Sequence, residues 1–391
     1  MKIAFLVERP TQFEAPFFRF AARDTRHELR VLFTGTGPDG PDGPTFDPEL
    51  GRAVTWGIDL LGGYPYAVAP ARGRLRWLAR QLQRESCDLL IANGYTQLEY
   101  LLATSLARRA RVATALRLDS VVWRDEATAV GQRGRHRRLR GKRLLYSALL
   151  LRLYDLFLGV GSVTLDYLGA CGVPAGRCGL FPYAVDVESF RAGSRLPPEE
   201  RAAARARLGI SPGDQAVLAV AKLHPREAPR DLLRALPLLP AAVRLLIAGD
   251  GPSRAELERL ASELGPGRAR FLGYVPYPEL PPLYAAADLF VHPAREERWG
   301  VSVEEALACG LPVVASTRVG AAYDLLAAGA NGWLYPAGDA AALARRIRQA
   351  LALDRRAVAA ASREVLARWD YAASWRHLLD AAELVVGGSA R

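Results

Sequence analysis

From Val291 to Ser316 the chain reads VHPAREERWGVSVEEALACGLPVVAS. An apolar strand gives way to a charged loop, then Trp299-Gly300, an amphipathic helix, Gly310-Leu311-Pro312 and a second apolar strand. Strand, helix and strand in that order make the crossover unit of a parallel sheet. Glu297 and Glu305 stand eight positions apart, the first just before the helix and the second on its second turn. Between them Gly300, Val301 and Ser302 supply the free N–H groups of a helix start, which suits a diphosphate. Carboxylates only accept hydrogen bonds. They therefore suit sugar and ribose hydroxyls and repel phosphate. Hydroxyls beside a diphosphate imply a nucleotide sugar.

The same alternation extends outward in both directions. Apolar strands are expected at Lys2–Val7, Leu29–Phe33, Asp88–Ala92, Ala110–Leu118, Leu156–Val160 and Gly179–Pro182. Helical patterns fall at Arg74–Glu85 and Gln97–Arg108. Residues 187–213 read as a linker plus a helix. A second strand series then runs through Ala216–Val220, Arg244–Ala248, Ala269–Leu272, Leu289–Val291, Pro312–Ala315 and Gly332–Tyr335. The expected fold is α/β, with two doubly wound, Rossmann-like domains facing a central cleft.

The chain has 391 residues, half of them hydrophobic, and a mean hydropathy of +0.01. That is a globular composition with ample core. The formal charge is +11 and the pI about 9.8, carried almost wholly by arginine. Two readings fit: compositional drift, or attraction to an anionic partner such as a nucleotide, lipid phosphate or membrane surface. No nucleic-acid recognition motif accompanies the charge. Cys87, Cys171, Cys178 and Cys309 show no metal-like spacing, and free thiols in a reducing cytosol are expected. The first residues, MKIAFLVERPTQF, read as a strand interrupted by charge and not as a leader. No uncharged stretch reaches membrane-spanning length.

With Pro293, Gly300 and Gly310-Leu311-Pro312 at matching spacing, the Glu297/Glu305 stretch resembles the Glu-x7-Glu signature of the family 4 glycosyltransferases, retaining enzymes of the GT-B fold. The resemblance implies that residues 1–186 bind the acceptor. Residues 187–370, after a linker, would bind the nucleotide sugar. The helix at about 371–386 would cross back onto the first domain, anchored by Trp369 and Trp375. It implies that Glu305 holds ribose hydroxyls and Glu297 contacts the donor sugar. Lys222 would neutralise the donor diphosphate. Gly249, Tyr274 and Val275 would approach the nucleotide, and Trp299 would wall the sugar pocket or simply pack. A second cation normally follows five positions after the first, and here that position is Glu227. Arg226 or Arg230 could take its place. Asp324 stands where glutamate is commoner.

Taken alone, the charged groups allow a plainer reading, in which Arg295–Arg298 and Glu304–Glu305 are solvated surface charge. In the first half, Gln12 and Glu14 follow the opening strand, while Arg117 and Asp119 follow another. They are acceptor-side candidates, with Asp119 also a catalytic candidate, and Arg117 and Asp119 alternatively read as members of a buried ion pair. Arg133, Arg135, Arg137, Arg138, Arg140, Lys142 and Arg143 precede a leucine-rich helix whose leucines are expected to belong to the fold. The run reads as a plain basic loop or as a dock for anionic lipid.

No Asp-x-Asp occurs. The resemblance thus implies transfer with retention and without a metal or other cofactor, from a UDP- or GDP-sugar to a hydroxyl acceptor, anionic or lipid-linked. Cell-envelope glycan, glycolipid and natural-product glycoside synthesis all fit. The expected location is the cytoplasm, with peripheral contact at the inner membrane face. Two rival readings stand beside this one. Glu227 motivates a catalytically impaired nucleotide-sugar binder or scaffold. His224 and His292, near strand ends, motivate a nucleotide-sugar epimerase.

Overall fold

The computed structural model describes residues 1–35, 45–47, 52–54, 56–85, 87–123 and 141–386. The chain divides into two compact units. One comprises Met1–Pro44, Asp59–Ala184 and Tyr371–Arg391, and the other Thr45–Ile58 and Val185–Asp370.

The first unit is built on a seven-stranded parallel sheet. Its strands are β1 (Lys2–Val7), β2 (Glu28–Phe33), β5 (Tyr66–Val68), β6 (Leu89–Asn93), β7 (Ala113–Leu118), β8 (Leu156–Gly159) and β9 (Cys178–Leu180), in the order β5-β2-β1-β6-β7-β8-β9. In the second unit β3 (Thr45–Asp47) and β4 (Arg52–Val54) form a small antiparallel pair. Its main sheet holds β10 (Gln215–Val220), β11 (Val243–Ala248), β12 (Ala269–Gly273), β13 (Leu289–His292), β14 (Val313–Ser316) and β15 (Gly332–Tyr335), in the order β12-β11-β10-β13-β14-β15. The central strands are continuous apolar runs because helices cover both faces of a parallel sheet. All four residues of β13 and all four of β14 are buried.

Both sheets reverse direction once. From β1 the chain builds outward through β2 and then returns to place β6 on the other side of β1. From β10 it builds through β11 and β12 and then returns to place β13 beside β10. Such a reversal opens a crevice beyond the carboxyl ends of the two flanking strands, where open α/β sheets bind ligands. The loops after β10 and β13 carry Lys222 and Glu297. Glu14 opens the helix that follows β1, and Asn93 ends β6.

The Tyr371–Val386 helix packs on the first unit's own sheet and on the Glu14–Ala21 helix. Trp375 holds it there, with Nε1 donating to Asp24 at 3.1 Å and the ring edge-on to Phe17. The leucine-rich stretch departs from expectation. Leu150 is fully buried, but Leu144 is 69% exposed and Leu149 39%, so these two add nothing to the core. The basic run from Arg133 to Arg140 lies outside the described residues, whereas Lys142 donates to the Tyr95 hydroxyl at 2.7 Å.

Candidate functional site

Glu297 sits on a loop clamped through its backbone. Its N–H donates to the Arg318 carbonyl at 2.8 Å, the Gly320 N–H donates to the Glu297 carbonyl at 3.0 Å, and the Ala321 N–H donates to that of Trp299 at 2.8 Å. The clamp requires glycine at 320, because a Cβ there would stand 2.0 Å from the Arg298 carbonyl oxygen. Gly300 then turns the chain into the Val301–Ala308 helix with φ +99°, a conformation glycine adopts at little cost. The Glu297 stem lies against this turn, since a Cβ on Gly300 would meet Glu297 Cγ at 3.2 Å and His292 Cδ2 at 3.3 Å. Trp299 is buried and packs on Trp369 with ring centroids 5.4 Å apart.

The plainer reading of Glu304 and Glu305 as surface charge is corrected by burial. Every residue from Ser302 to Ala308 on this helix is buried. Glu305 accepts a hydrogen bond from the Tyr284 hydroxyl at 2.8 Å. Burial pushes its carboxyl up to about 7, against the opposing pull of that hydrogen bond. Glu304 accepts from the Val185 N–H at 3.1 Å, and its other oxygen is buried without a hydrogen bond. Burial raises this carboxyl well above the usual range. Glu304 therefore ties the helix start to the entry of the second unit. The charge cluster is likewise divided, because Arg295 forms two 2.9 Å bonds to Asp231 and leaves Glu297 behind.

Lys222 lies half-buried in the loop after β10. That loop and the one after β11 pass at backbone contact. A Cβ on Gly249 would be 1.9 Å from the Ala221 carbonyl oxygen, so Gly249 has a packing reason of its own. Arg226 contacts Glu227 at 3.2 Å, and its carbonyl accepts from the Arg295 N–H at 2.8 Å, which joins the Lys222 and Glu297 loops. Arg230 goes elsewhere. It pairs with Glu256 and lines a cavity of about 430 Å³ together with Arg234 and Asp231, whose walls include neither Glu297 nor Glu305. Tyr274 and Val275 are half-buried after the edge strand β12, two strands from β10.

Sequence reasoning missed how closely two other residues approach this loop. Glu227 is buried, and so is His292, the last residue of β13. One ligating atom each of Glu227, His292 and Glu297 lie within 4.8 Å of one another. Burial pushes the imidazole down to about 4, so it is neutral near pH 7. Tyr284 was missed as well. The available signals were a histidine ending an apolar strand and a tyrosine in the helix just before it.

In the first unit the acceptor-side candidates meet, but two of them are committed to each other. Arg117 and Glu14 are both buried and form an ion pair at 3.2 Å. Arg117 also donates to the Phe181 and Pro182 carbonyls and lies 3.9 Å over the Phe181 ring. Glu14 accepts further from Asn93 at 2.9 Å and Thr11 at 3.1 Å. Burial raises the Glu14 carboxyl against the pull of Arg117. The ion-pair alternative for Arg117 is met by Glu14. Gln12 and Asp119 remain half-buried at the same strand ends.

A doubly wound unit with buried carboxylates and a glycine-opened helix at its switch point is built as a nucleotide-sugar domain would be. Residues 200–368 match the family model described as glycosyl transferases group 1. It is 36% identical over 150 residues to a GDP-mannose-dependent monoacylated alpha-(1-6)-phosphatidylinositol monomannoside mannosyltransferase of Corynebacterium glutamicum, covering 36% of this chain and 38% of that protein. It is 40% identical over 205 residues to a D-inositol 3-phosphate glycosyltransferase of Mycolicibacterium smegmatis, covering 50% of this chain and 44% of that protein. The chain therefore spans less than half the length of these relatives. Anabaena HepE, solved in complex with UDP, shares the fold at 21% identity and a TM-score of 0.72, over 97% of this chain and 99% of its own. The fold class is GT-B. Among the described residues no helix is long and apolar enough to cross a membrane.

Proposed function

We propose that this protein moves a glycosyl group from a UDP- or GDP-sugar to a hydroxyl acceptor, with retention of configuration and without a metal held by Asp-x-Asp. The observation that carries this reading is Glu305, a buried carboxylate on the second turn of a helix that opens at Gly300 beside the β10/β13 switch point. Glu305 holds the ribose hydroxyls, and the Gly300–Ser302 helix start with Lys222 holds the diphosphate. Glu297 contacts the donor sugar, and Arg226 adds charge from the joined loop. The departing phosphate oxygen takes the acceptor proton. Donors aimed at a leaving oxygen are worth roughly 10²–10³ in turnover each.

The acceptor carries phosphate, on this reading, because both curated relatives are named for inositol phosphate or phosphatidylinositol acceptors. Gln12 and Asp119 are the acceptor-side groups of the first unit. Exposed Leu144 and Leu149 beside Lys142 and Arg143 support peripheral contact with anionic lipid, each cation adding about 1 kcal/mol near the surface. A second reading, an impaired nucleotide-sugar binder, is supported by Glu227, whose buried carboxylate draws on the Arg226 charge.

Thermal stabilisation by UDP, GDP and their sugars tests the donor site, with Glu305→Ala as control. Ligand at about 100 times Kd adds roughly 2.7 kcal/mol. Stabilisation by one base that disappears in the variant supports the reading. No stabilisation by any donor overturns it. Stabilisation without transfer to phosphatidylinositol or inositol phosphate favours the impaired binder.

A further inference from the structure

The loops after β10 and β13 bring together two carboxylates and an imidazole from three separate points of the chain. The ligating oxygens of Glu227 and Glu297 and a ring nitrogen of His292 all lie within 4.8 Å of one another. His292 is 3% exposed, and its Nδ1 is buried without a hydrogen bond. A buried polar atom without a partner is costly, and a cation at that nitrogen supplies the missing partner.

We propose that Glu227, His292 and Glu297 bind one divalent cation of the borderline class, Zn²⁺ or Co²⁺. Two carboxylate oxygens and one imidazole nitrogen match that class, which takes N and O donors at about 2.0–2.2 Å. The ligating atoms stand at most 4.8 Å from one another, so they need to close by at most about 1–1.5 Å to meet one ion at those bond lengths. Three protein ligands leave coordination positions open to water. The site also has a consequence that rests on the donor reading above. Glu297 cannot ligate a cation and grip a sugar hydroxyl with the same oxygens. Metal occupancy therefore inhibits transfer, while the nucleotide, held through Glu305, still binds.

The test uses tag-free, chelator-treated full-length protein titrated with Co²⁺, followed by visible absorption and equilibrium dialysis in the absence of nucleotide. The expected result is one equivalent bound saturably, with a ligand-field band. Glu227→Gln and His292→Asn should each weaken binding by at least about tenfold, and circular dichroism would verify that both variants fold. No saturable uptake, or equal affinity in folded variants, overturns the site. Nucleotide stabilisation is measured separately on the metal-free protein, so failure of the donor reading leaves the cobalt result standing, and the reverse. If transfer is observed, unchanged turnover at saturating Zn²⁺ overturns the inhibitory role.

Discussion

The two switch points share a sheet topology and differ in how they treat charge. At β1/β6 the buried carboxylate Glu14 meets the buried guanidinium Arg117 at 3.2 Å, and Thr11, Asn93 and the Phe181 and Pro182 carbonyls add hydrogen bonds to the pair. At β10/β13 the buried carboxyl of Glu305 receives a neutral tyrosine hydroxyl, and that of Glu304 a backbone N–H. The first arrangement is closed upon itself and supports the fold. Burial raises the carboxyls at both points, and at the second no guanidinium pulls against it. One topology thus yields a closed ion pair in one unit and buried carboxyls met by neutral donors in the other, according to whether the opposite charge is built in.

Mutation should separate these roles, with the largest effect in the first unit. Arg117→Ala leaves Glu14 buried and uncompensated and should destabilise that unit by about 3–5 kcal/mol. Denaturant unfolding would show it, and Glu14→Gln with Arg117→Met should recover most of the loss. A small effect of Arg117→Ala would break the contrast. Glu305→Gln should act in the opposite sense. The folded carboxyl titrates near 7 against an ordinary value of 4.5, so the folded state binds the extra proton. That stabilising term is fully present below pH 4.5 and is lost as pH rises through about 7. Above pH 7 the ionised wild type bears a burden of about 3 kcal/mol, which glutamine lacks. The variant should gain stability over wild type at pH 8, show little difference at pH 4.5, and lose nucleotide stabilisation at both. Parallel denaturation curves at the two pH values would remove the claim that Glu305 is held against its own desolvation.

The sheets were legible because parallel strands are covered on both faces and announce themselves as apolar runs. Lys2–Val7 and Gly332–Tyr335 stand where expected, as does the Arg74–Glu85 helix. Three-residue strands such as Tyr66–Val68 carry too little pattern to be seen. Glu297 and Glu305 were legible through local spacing on one loop and helix. Burial was not, because Glu304 looks like any helix-surface acid until the Val185 N–H is brought to it. The pairing of Glu14 with Arg117 spans 103 positions and exists only once β1 and β7 share a sheet. The approach of Glu227 to His292 depends in the same way on β10 lying beside β13.

Smaller changes test the clamp around Glu297. Gly320→Ala forces a Cβ onto the Arg298 carbonyl and should cost about 1–3 kcal/mol through overpacking. Because the displaced segment carries Glu297 and not Glu305, sugar transfer should fall by about 10²-fold while nucleotide stabilisation persists. Equal loss of both would merge the two roles proposed for Glu297 and Glu305.

Trp299→Phe is the finest probe. The ring stacks on Trp369, tilted 36° at 5.4 Å, and its side chain also acts on the Glu304 carboxyl; a phenyl ring can keep part of the stack. If packing is the role of Trp299, stability should drop by about 1 kcal/mol with the donor KM unchanged. A changed KM at unchanged stability would make the indole a wall of the sugar pocket, so that the loop closing the helix start also reads the sugar. The distinction matters for the comparison of the two units. In the first unit the aromatic rings of Phe181 and Tyr183 serve a buried cation, and a purely packing Trp299 would leave sugar selection at this loop to Glu297.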